Sequence, residues 1–348
     1  MRTRIGIDAR LIRAYGIGSY IRGLLHGLAV LRGDEEYVVF AASDARDLIP
    51  RSMELVTTSI APHSIGEPLR MGRLLDRARL DVVHAPHFNI PRTAAPLVVT
   101  LYDAIPFHYR LRNPIAFAYI AFMMQAAVRR ADRLLAISHA AKRDVIDAVD
   151  CDPERIQVIH IGVDEMFFRD GIHPAADLGR YFLFVGRPAI HKNVEVLLEA
   201  LTLARRTDPS LRVVLAGGKH VSRGLDGVIV PGYVEESRLL ALYRGALAVV
   251  MPSRMEGFGL PPLEGMALGT PAITSNAPAL LEVTGDAALH FDASSPVQLA
   301  EAMLRVANDA ALRGELANRG RERVRAFTWG RCAEATRAVY RDCSSLNA

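Results

Sequence analysis

The 348-residue chain holds three cysteines, Cys151, Cys332 and Cys343, and no C-x-x-C pair. Their scarcity gives neither a disulfide framework nor a zinc-site spacing, and it makes a reducing compartment the default. No long apolar span is evident either. The stretch Ile115–Val128, I-A-F-A-Y-I-A-F-M-M-Q-A-A-V, has fourteen residues, where a membrane crossing needs about 20. It is flanked by Arg110, Arg112, Arg129 and Arg130, which leaves an interfacial helix or a buried one, and its place between two strands favours burial. Charge of one sign is not in excess: 42 Lys and Arg against 38 Asp and Glu leave +4. That mild surplus suits a phosphorylated substrate or an anionic membrane surface, and with no zinc-finger or aromatic RNA-binding signature, nucleic acid is not an expected partner. The opening M-R-T-R-I-G-I-D-A-R enters a strand at once and lacks the apolar core of a secretory signal. A cytoplasmic protein is expected, with peripheral contact at the inner face of the cell membrane as its furthest excursion.

Half of the residues are hydrophobic, enough for two cores at roughly 100–200 residues per domain. Short apolar strands alternate with helical patterns in two series. The first is Arg4–Ala9, Tyr37–Ala41, Val82–His84, Leu97–Leu101 and Arg133–Ile137; the second is Tyr181–Val185, Arg212–Ala216, Gly227–Val230, Ala246–Met251 and Pro271–Thr274. Alternation of this kind predicts an α/β protein of two doubly wound domains. The Gly-, Asp-, His- and Pro-containing segment Gly162–Gly179 reads as the linker, so domains are expected at 1–165 and 175–325. A ligand cleft between them, floored by the carboxyl ends of both sheets, follows from that reading. The segment 326–348 reads as a last helix, after a break near Phe327-Thr328-Trp329.

Residues 252–276, P-S-R-M-E-G-F-G-L-P-P-L-E-G-M-A-L-G-T-P-A-I-T-S-N, are the most informative. Two acids, Glu256 and Glu264, bracket a turn in which Gly257, Phe258, Gly259 and Leu260 lead into a helix opened by Pro261 and Pro262 and ended by Gly269. Free amides at such a start favour an anion. Taken alone, Glu264 is equally an acid favoured by the helix dipole, and Glu256 a solvated loop residue. Both acids, the G-F-G-L-P loop and the small-residue strand after it together resemble the E-x(7)-E signature of retaining glycosyltransferase family 4. The resemblance covers nearly the whole chain and implies the GT-B fold, with two Rossmann-like domains facing across a cleft and the last helix crossing back onto the first.

On that resemblance Glu256 holds sugar hydroxyls and Glu264 holds ribose. Arg187 and Lys192, in V-G-R-P-A-I-H-K-N-V, match the family's basic pair. Two fixed cations after a strand would stabilise a leaving diphosphate without a metal; Asn193 would cap the following helix, and His191 is a spectator. Gly16 and Gly18, in Y-G-I-G-S ahead of a helix capped by Ser19 and faced by Ile21, Leu24, Leu25 and Leu28, permit close contact with donor phosphates. Gly23 is misplaced for a dinucleotide fingerprint, so NAD is not expected. Gly232 and Tyr233 resemble the base-recognition loop, where Tyr233 either stacks on the base or packs under its own loop.

Acceptor-side candidates are His84 and His87 in V-H-A-P-H, Tyr102 and Asp103 in L-Y-D-A, and Ser138. The H-x-x-H spacing lacks a third metal ligand, so substrate contact is the reading for both histidines. Tyr102 stands where relatives usually carry histidine and, with a pKa near ~10, is a poor base; Asp103 is the better candidate for the acceptor hydroxyl. Ser138 reads foremost as an N-cap. Asp150-Cys151-Asp152 imitates a metal-binding D-x-D, but Asp152-Pro153-Glu154 reads as a helix start, and no metal or other cofactor is expected. The function implied is retaining transfer of a hexose, mannose from GDP-mannose by analogy with bacterial polysaccharide-building members, onto a glycan or lipid-linked acceptor. A silent nucleotide-sugar-binding protein and a GT-B epimerase or phosphorylase are the alternatives.

Overall fold

The computed structural model describes residues 2–64, 66–109, 113–218 and 224–345. Arg110 and Arg112 lie outside the described residues. The chain divides into two compact units, Val163–Ala326 forming one, and the residues up to Gly162 together with those from Phe327 forming the other.

In chain order, unit one contains β1 (Arg4–Asp8), α1 (Ile17–Val30), β2 (Glu36–Ala41), β3 (Glu54–Thr57), α2 (Glu67–Arg77), β4 (Val82–Ala85), β5 (Leu97–Leu101), α3 (Ile105–His108), α4 (Pro114–Arg130), β6 (Arg133–Ala136), α5 (His139–Ala148) and β7 (Ile156–Val158). Unit two contains β8 (Tyr181–Val185), α6 (Val194–Ala204), β9 (Arg212–Ala216), β10 (Val228–Ile229), α7 (Glu236–Gly245), β11 (Ala248–Met251), α8 (Leu260–Ala267), β12 (Ala272–Ser275), α9 (Pro278–Thr284), β13 (Ala288–Phe291), α10 (Pro296–Asn308) and α11 (Ala310–Val324). The last helix, α12 (Trp329–Ser344), belongs to unit one.

Both sheets are parallel among the described residues, ordered β3-β2-β1-β4-β5-β6-β7 and β10-β9-β8-β11-β12-β13. The order reverses at β1/β4 in unit one and at β8/β11 in unit two, the positions where open α/β sheets leave a crevice beyond the strand ends. Central strands such as Tyr181–Val185 are buried on both faces, which is why they read as continuous apolar runs.

Two local expectations are corrected. Ser19 does not cap α1: the helix starts from Gly16, whose φ of 77° turns the chain before the serine is reached, and no side chain caps it. Asn193 precedes α6 but does not cap it either. Its amide donates to the carbonyls of Pro252 (3.0 Å) and Ala293 (2.8 Å), and this crosslink holds it left-handed at φ 52°.

The helix α12 packs on α1, where glycine makes room. Side chains at Gly23 and Gly27 would overlap Trp329 and Ala333, which explains a glycine that no dinucleotide fingerprint required. His84 is likewise corrected from substrate contact. It is wholly buried, its Nδ1 2.6 Å from the Tyr340 hydroxyl of α12 and its Nε2 2.8 Å from Thr100 Oγ1. Burial, with His87 nearby, pushes its pKa down to about 3.

The favoured burial of Ile115–Val128 is also corrected. Met123, Met124, Ala127 and Val128 are buried, but Ile115 and Phe122 are 79% and 71% exposed. Among the described residues no helix is long and apolar enough to cross a membrane.

Candidate functional site

In unit two, β8 and β11 each end in a loop that carries charge to the reversal point. The first runs through Gly186, Arg187 and a single 3-10 turn, Ile190–Lys192, into α6. The second runs from Pro252 through Glu256 and Gly259 into α8. Asn193 ties them together through Pro252 and also accepts from Arg254 Nε at 3.2 Å.

With the loops pinned, Lys192 Nζ lies 2.7 and 2.9 Å from the two Glu256 carboxylate oxygens. Their side chains are 19% and 8% exposed, so the pair is largely withdrawn from water, where Coulombic attraction is strengthened. Arg187 is exposed on the same loop as Lys192.

Gly259 has φ 114° and precedes α8, and a side chain there would overlap Leu280. Gly257 and Phe258 are buried beside it, while Leu260 is half-buried. The supply of amides at this helix start is smaller than its position suggests, because Pro261 and Pro262 have no N–H. Positive charge on these loops is therefore carried mainly by the side chains of Arg187 and Lys192.

One turn on, Glu264 accepts a hydrogen bond from the Tyr243 hydroxyl. Burial pushes its pKa up to about 7, against the lowering effect of that bond. Gly232, at φ 77°, and Tyr233 precede α7, and Tyr233 is 92% exposed, so it does not pack under its own loop.

In unit one, Gly16 turns the chain into α1 in open space, whereas Gly18 is required by packing, since a side chain would meet the Ile12 carbonyl. The acceptor-side candidates lie at sheet ends and are locally engaged. Tyr102 donates to the Pro86 carbonyl at 3.0 Å, and burial holds its pKa well above 10, which removes it as a base near neutrality. Asp103 is half-buried and Oδ1 accepts from Ile105 N at 3.0 Å. Ser138 is buried and caps α5 through Ala141 N at 2.9 Å. His87 is buried, with Nε2 3.2 Å from Asp8 Oδ2 and Nδ1 accepting from Asn89 N at 3.1 Å, so both nitrogens point into the protein.

Sequence reasoning missed the partners of His87. Asp8 ends β1, Arg10 follows, and Glu67 opens α2; Arg10 Nη2 lies 2.6 Å from Asp8 Oδ2 and 2.5 Å from Glu67 Oε1. Burial alone would raise Asp8, but Arg10 and His87 hold it far below the usual carboxylate range. The local signal was the D-x-R at the end of β1; nothing local pointed to Glu67. No group of three or more His, Cys, Asp or Glu is arranged to hold a metal among the described residues.

Two Rossmann-like units, each built on a parallel sheet, are the architecture of the GT-B glycosyltransferases. Residues 14–166 match the model of Glycosyltransferase Family 4, and residues 170–323 match that of Glycosyl transferases group 1. The chain belongs to this family and is a glycosyltransferase.

It is similar to O-antigen chain mannosyltransferase B of Escherichia coli, 26% identical over 94% of this chain and 96% of that protein. It also resembles the D-inositol 3-phosphate glycosyltransferase of Acidothermus cellulolyticus, 30% identical over 62% of this chain. That match covers 54% of the relative, so the chain spans about half its length. Among solved structures, a sucrose-phosphate synthase from Thermosynechococcus elongatus superposes with TM-score 0.76 and 19% identity over 99% of this chain and 100% of that one. HepE of Anabaena, solved with UDP-glucose, gives TM-score 0.75 and 16% identity over 98% of this chain and 100% of its own. These likenesses establish the fold.

Proposed function

We propose that the protein is a retaining, metal-independent hexosyltransferase that uses a nucleoside diphosphate sugar, with mannose from GDP-mannose the preferred donor and a glycan or lipid-linked acceptor. The observation that carries this reading is the Lys192–Glu256 pair, 2.7 Å apart at the β8/β11 reversal. The names of the mannosyltransferase relatives support the sugar, and the UDP-glucose bound to HepE supports a nucleotide-sugar donor.

In this reading unit two is the donor side. Arg187 and Lys192 meet the diphosphate. Glu256 holds sugar hydroxyls, Gly257, Phe258, Gly259 and Leu260 line the sugar loop, and Glu264 receives the ribose hydroxyls. Gly232 and the exposed Tyr233 meet the base. The anomeric C–O bond breaks with its electron pair passing to the diphosphate. The acceptor oxygen bonds to the anomeric carbon from the same face, and its proton passes to the departing phosphate oxygen. Positive groups aimed at charge that develops in the transition state raise kcat rather than binding alone.

Unit one is the acceptor side. Asp103 orients the acceptor hydroxyl; Tyr102 and Ser138 act through hydrogen bonds, and His87 through the network it anchors. The exposed Ile115 and Phe122 of α4, with Arg129 and Arg130 exposed at its end, give an interfacial face for peripheral contact with anionic lipid.

The test is a panel of nucleotide sugars in EDTA, read as nucleotide release and as the anomeric configuration of the product. Release confined to one donor, with retained configuration and a loss of about 100-fold or more in Lys192→Ala, is the expected result. An inverted product, or a requirement for divalent metal, refutes the mechanism.

A further inference from the structure

The sheet of unit one reverses between β1 and β4, and a buried charged cluster lies there. Arg10 is held at every face: Nε donates to Asp8 Oδ1 (2.8 Å), Nη2 to both carboxylates, and Nη1 to the Ile60 carbonyl (3.2 Å). Asn89 donates its amide to Glu67 and accepts the Tyr119 hydroxyl of α4 on Oδ1 at 2.7 Å. Two carboxylates and a guanidinium carry a desolvation penalty that their mutual attraction must offset, and an apolar core of equal volume often serves stability as well. A fold under selection for stability alone had cheaper residues for this place.

What the cluster holds rigid is a set of rings. His63 sits in the left-handed region at φ 61°, a conformation in which residues other than glycine are uncommon and costly. Its N–H is fixed to Glu67 Oε2 at 2.5 Å. The His63 ring centroid lies 5.9 Å from Phe88 and 6.4 Å from Tyr119, the latter edge-on at 84°. His63 and Tyr119 are exposed, Tyr119 at 38%, and Phe88 is half-buried. Rings tied to a rigid polar cluster, at the crevice of a parallel sheet, suit a pyranose: its C–H groups for the ring faces and its hydroxyls for the polar edges of His63 and Tyr119.

We propose that His63, Phe88 and Tyr119 form a subsite for a sugar ring of the acceptor, with Asp8, Arg10, Glu67, His87 and Asn89 as positioning residues beneath it. This rests on the acceptor-side reading above and makes the acceptor's recognised part a glycan rather than a lipid phosphate. Burial, and then His87, depress the His63 pKa below its ordinary value, so near neutrality its ring offers one donor and one acceptor to hydroxyls.

The test uses the intact protein and does not depend on turnover. Binding of methyl mannoside, glucoside, galactoside, rhamnoside and N-acetylglucosaminide is measured by saturation-transfer NMR in the wild type, His63→Asn and Tyr119→Ala. Asparagine tolerates the left-handed backbone, so His63→Asn removes the ring and keeps the turn. The expected result is binding of at least one glycoside, weakened about tenfold in each variant, a loss of about 1.4 kcal/mol. Nucleoside diphosphate binding should be unchanged, and the KM for the matching octyl glycoside should rise more than kcat falls.

Wild-type protein that binds no glycoside, or variants that bind glycosides as the wild type does, overturn the proposal. So does binding confined to vesicles of anionic phospholipid. Failure of donor turnover in the wild type sinks the transferase mechanism while leaving the glycoside-binding result to decide this one.

Discussion

Glu264 shows how much a site depends on one carboxyl. Burial pushes its pKa up to about 7, so near neutrality it passes between an acid that already has a proton and a carboxylate that, in the proposed function, would accept ribose hydroxyls. Affinity for the nucleoside alone, which carries no titrating phosphate, measured calorimetrically from pH 5.5 to 8.5, should therefore strengthen through a step near pH 7, and Glu264→Gln should abolish the step. An unchanged step in the variant would place the titrating group elsewhere. Glu256 invites a second prediction. Its carboxylate occupies Lys192 from two oxygens, the same ammonium that a diphosphate would claim. Glu256→Gln should thus tighten nucleoside diphosphate binding several-fold while transfer falls about 100-fold; looser binding in calorimetry would show that the two do not compete. The E-x(7)-E pair and Lys192 were legible because each lies within a short motif after a buried strand. The Asp8–Arg10–Glu67–His87 cluster was not, since Arg10 and Glu67 stand 57 positions apart and each looks locally like an ordinary turn or first-turn residue. Asn193 was placed correctly and misread in role, because its partners Pro252 and Ala293 are 59 and 100 positions away.

Elements were legible in proportion to burial. The central strands β5, β8 and β11, buried at every position, announced themselves. The edge strands β3 and β7, half-exposed and short, and the edge strand β13, open to solvent at its centre, carried too little apolar pattern to be seen. The contact of α1 with α12 belongs to this scale, and glycine is its determinant. Gly23→Ala would drive a methyl into the Trp329 indole, and overpacking of this kind costs about 1–3 kcal/mol. Gly314, exposed within α11 with nothing near its Cβ position, is the matched control: Gly314→Ala should stabilise by about 0.5–1 kcal/mol through helix propensity. Urea titrations of the two variants should move in opposite directions. If both stabilise, the α1–α12 surface is looser than the glycines imply.

The whole molecule joins two units whose buried groups respond to acid in opposite senses. In unit one, His84 is held down to about 3, while the unfolded chain takes up its proton near 6.5. Over that window the unfolded state binds more protons, so stability falls as pH drops, by roughly 1.4 kcal/mol per pH unit. Asp8, depressed by Arg10 and His87, adds its loss below the ordinary carboxylate range. In unit two, Glu264 keeps its proton up to about 7, against 4.5 unfolded, so the folded state binds more protons and stability rises as pH drops from 7 to 4.5. Half-buried Asp144 and His191 oppose the trend of their own units, but solvent screening leaves theirs the weaker contributions. Between pH 4.5 and 6.5, acid should therefore weaken unit one and strengthen unit two. The single tryptophan of the chain, Trp329, packs on Gly23 within unit one, so its fluorescence reports that unit, whereas far-UV circular dichroism reports both. Urea unfolding at pH 7.5 and pH 5 should show the fluorescence midpoint falling and the later dichroism transition holding or rising. Two midpoints that fall together would mean that the buried His84 and Glu264 do not govern the acid response of their units. Tyr340→Phe, which removes the partner of His84 Nδ1, should lower the fluorescence midpoint alone, because the hydroxyl it deletes stabilises only the unit that α12 completes.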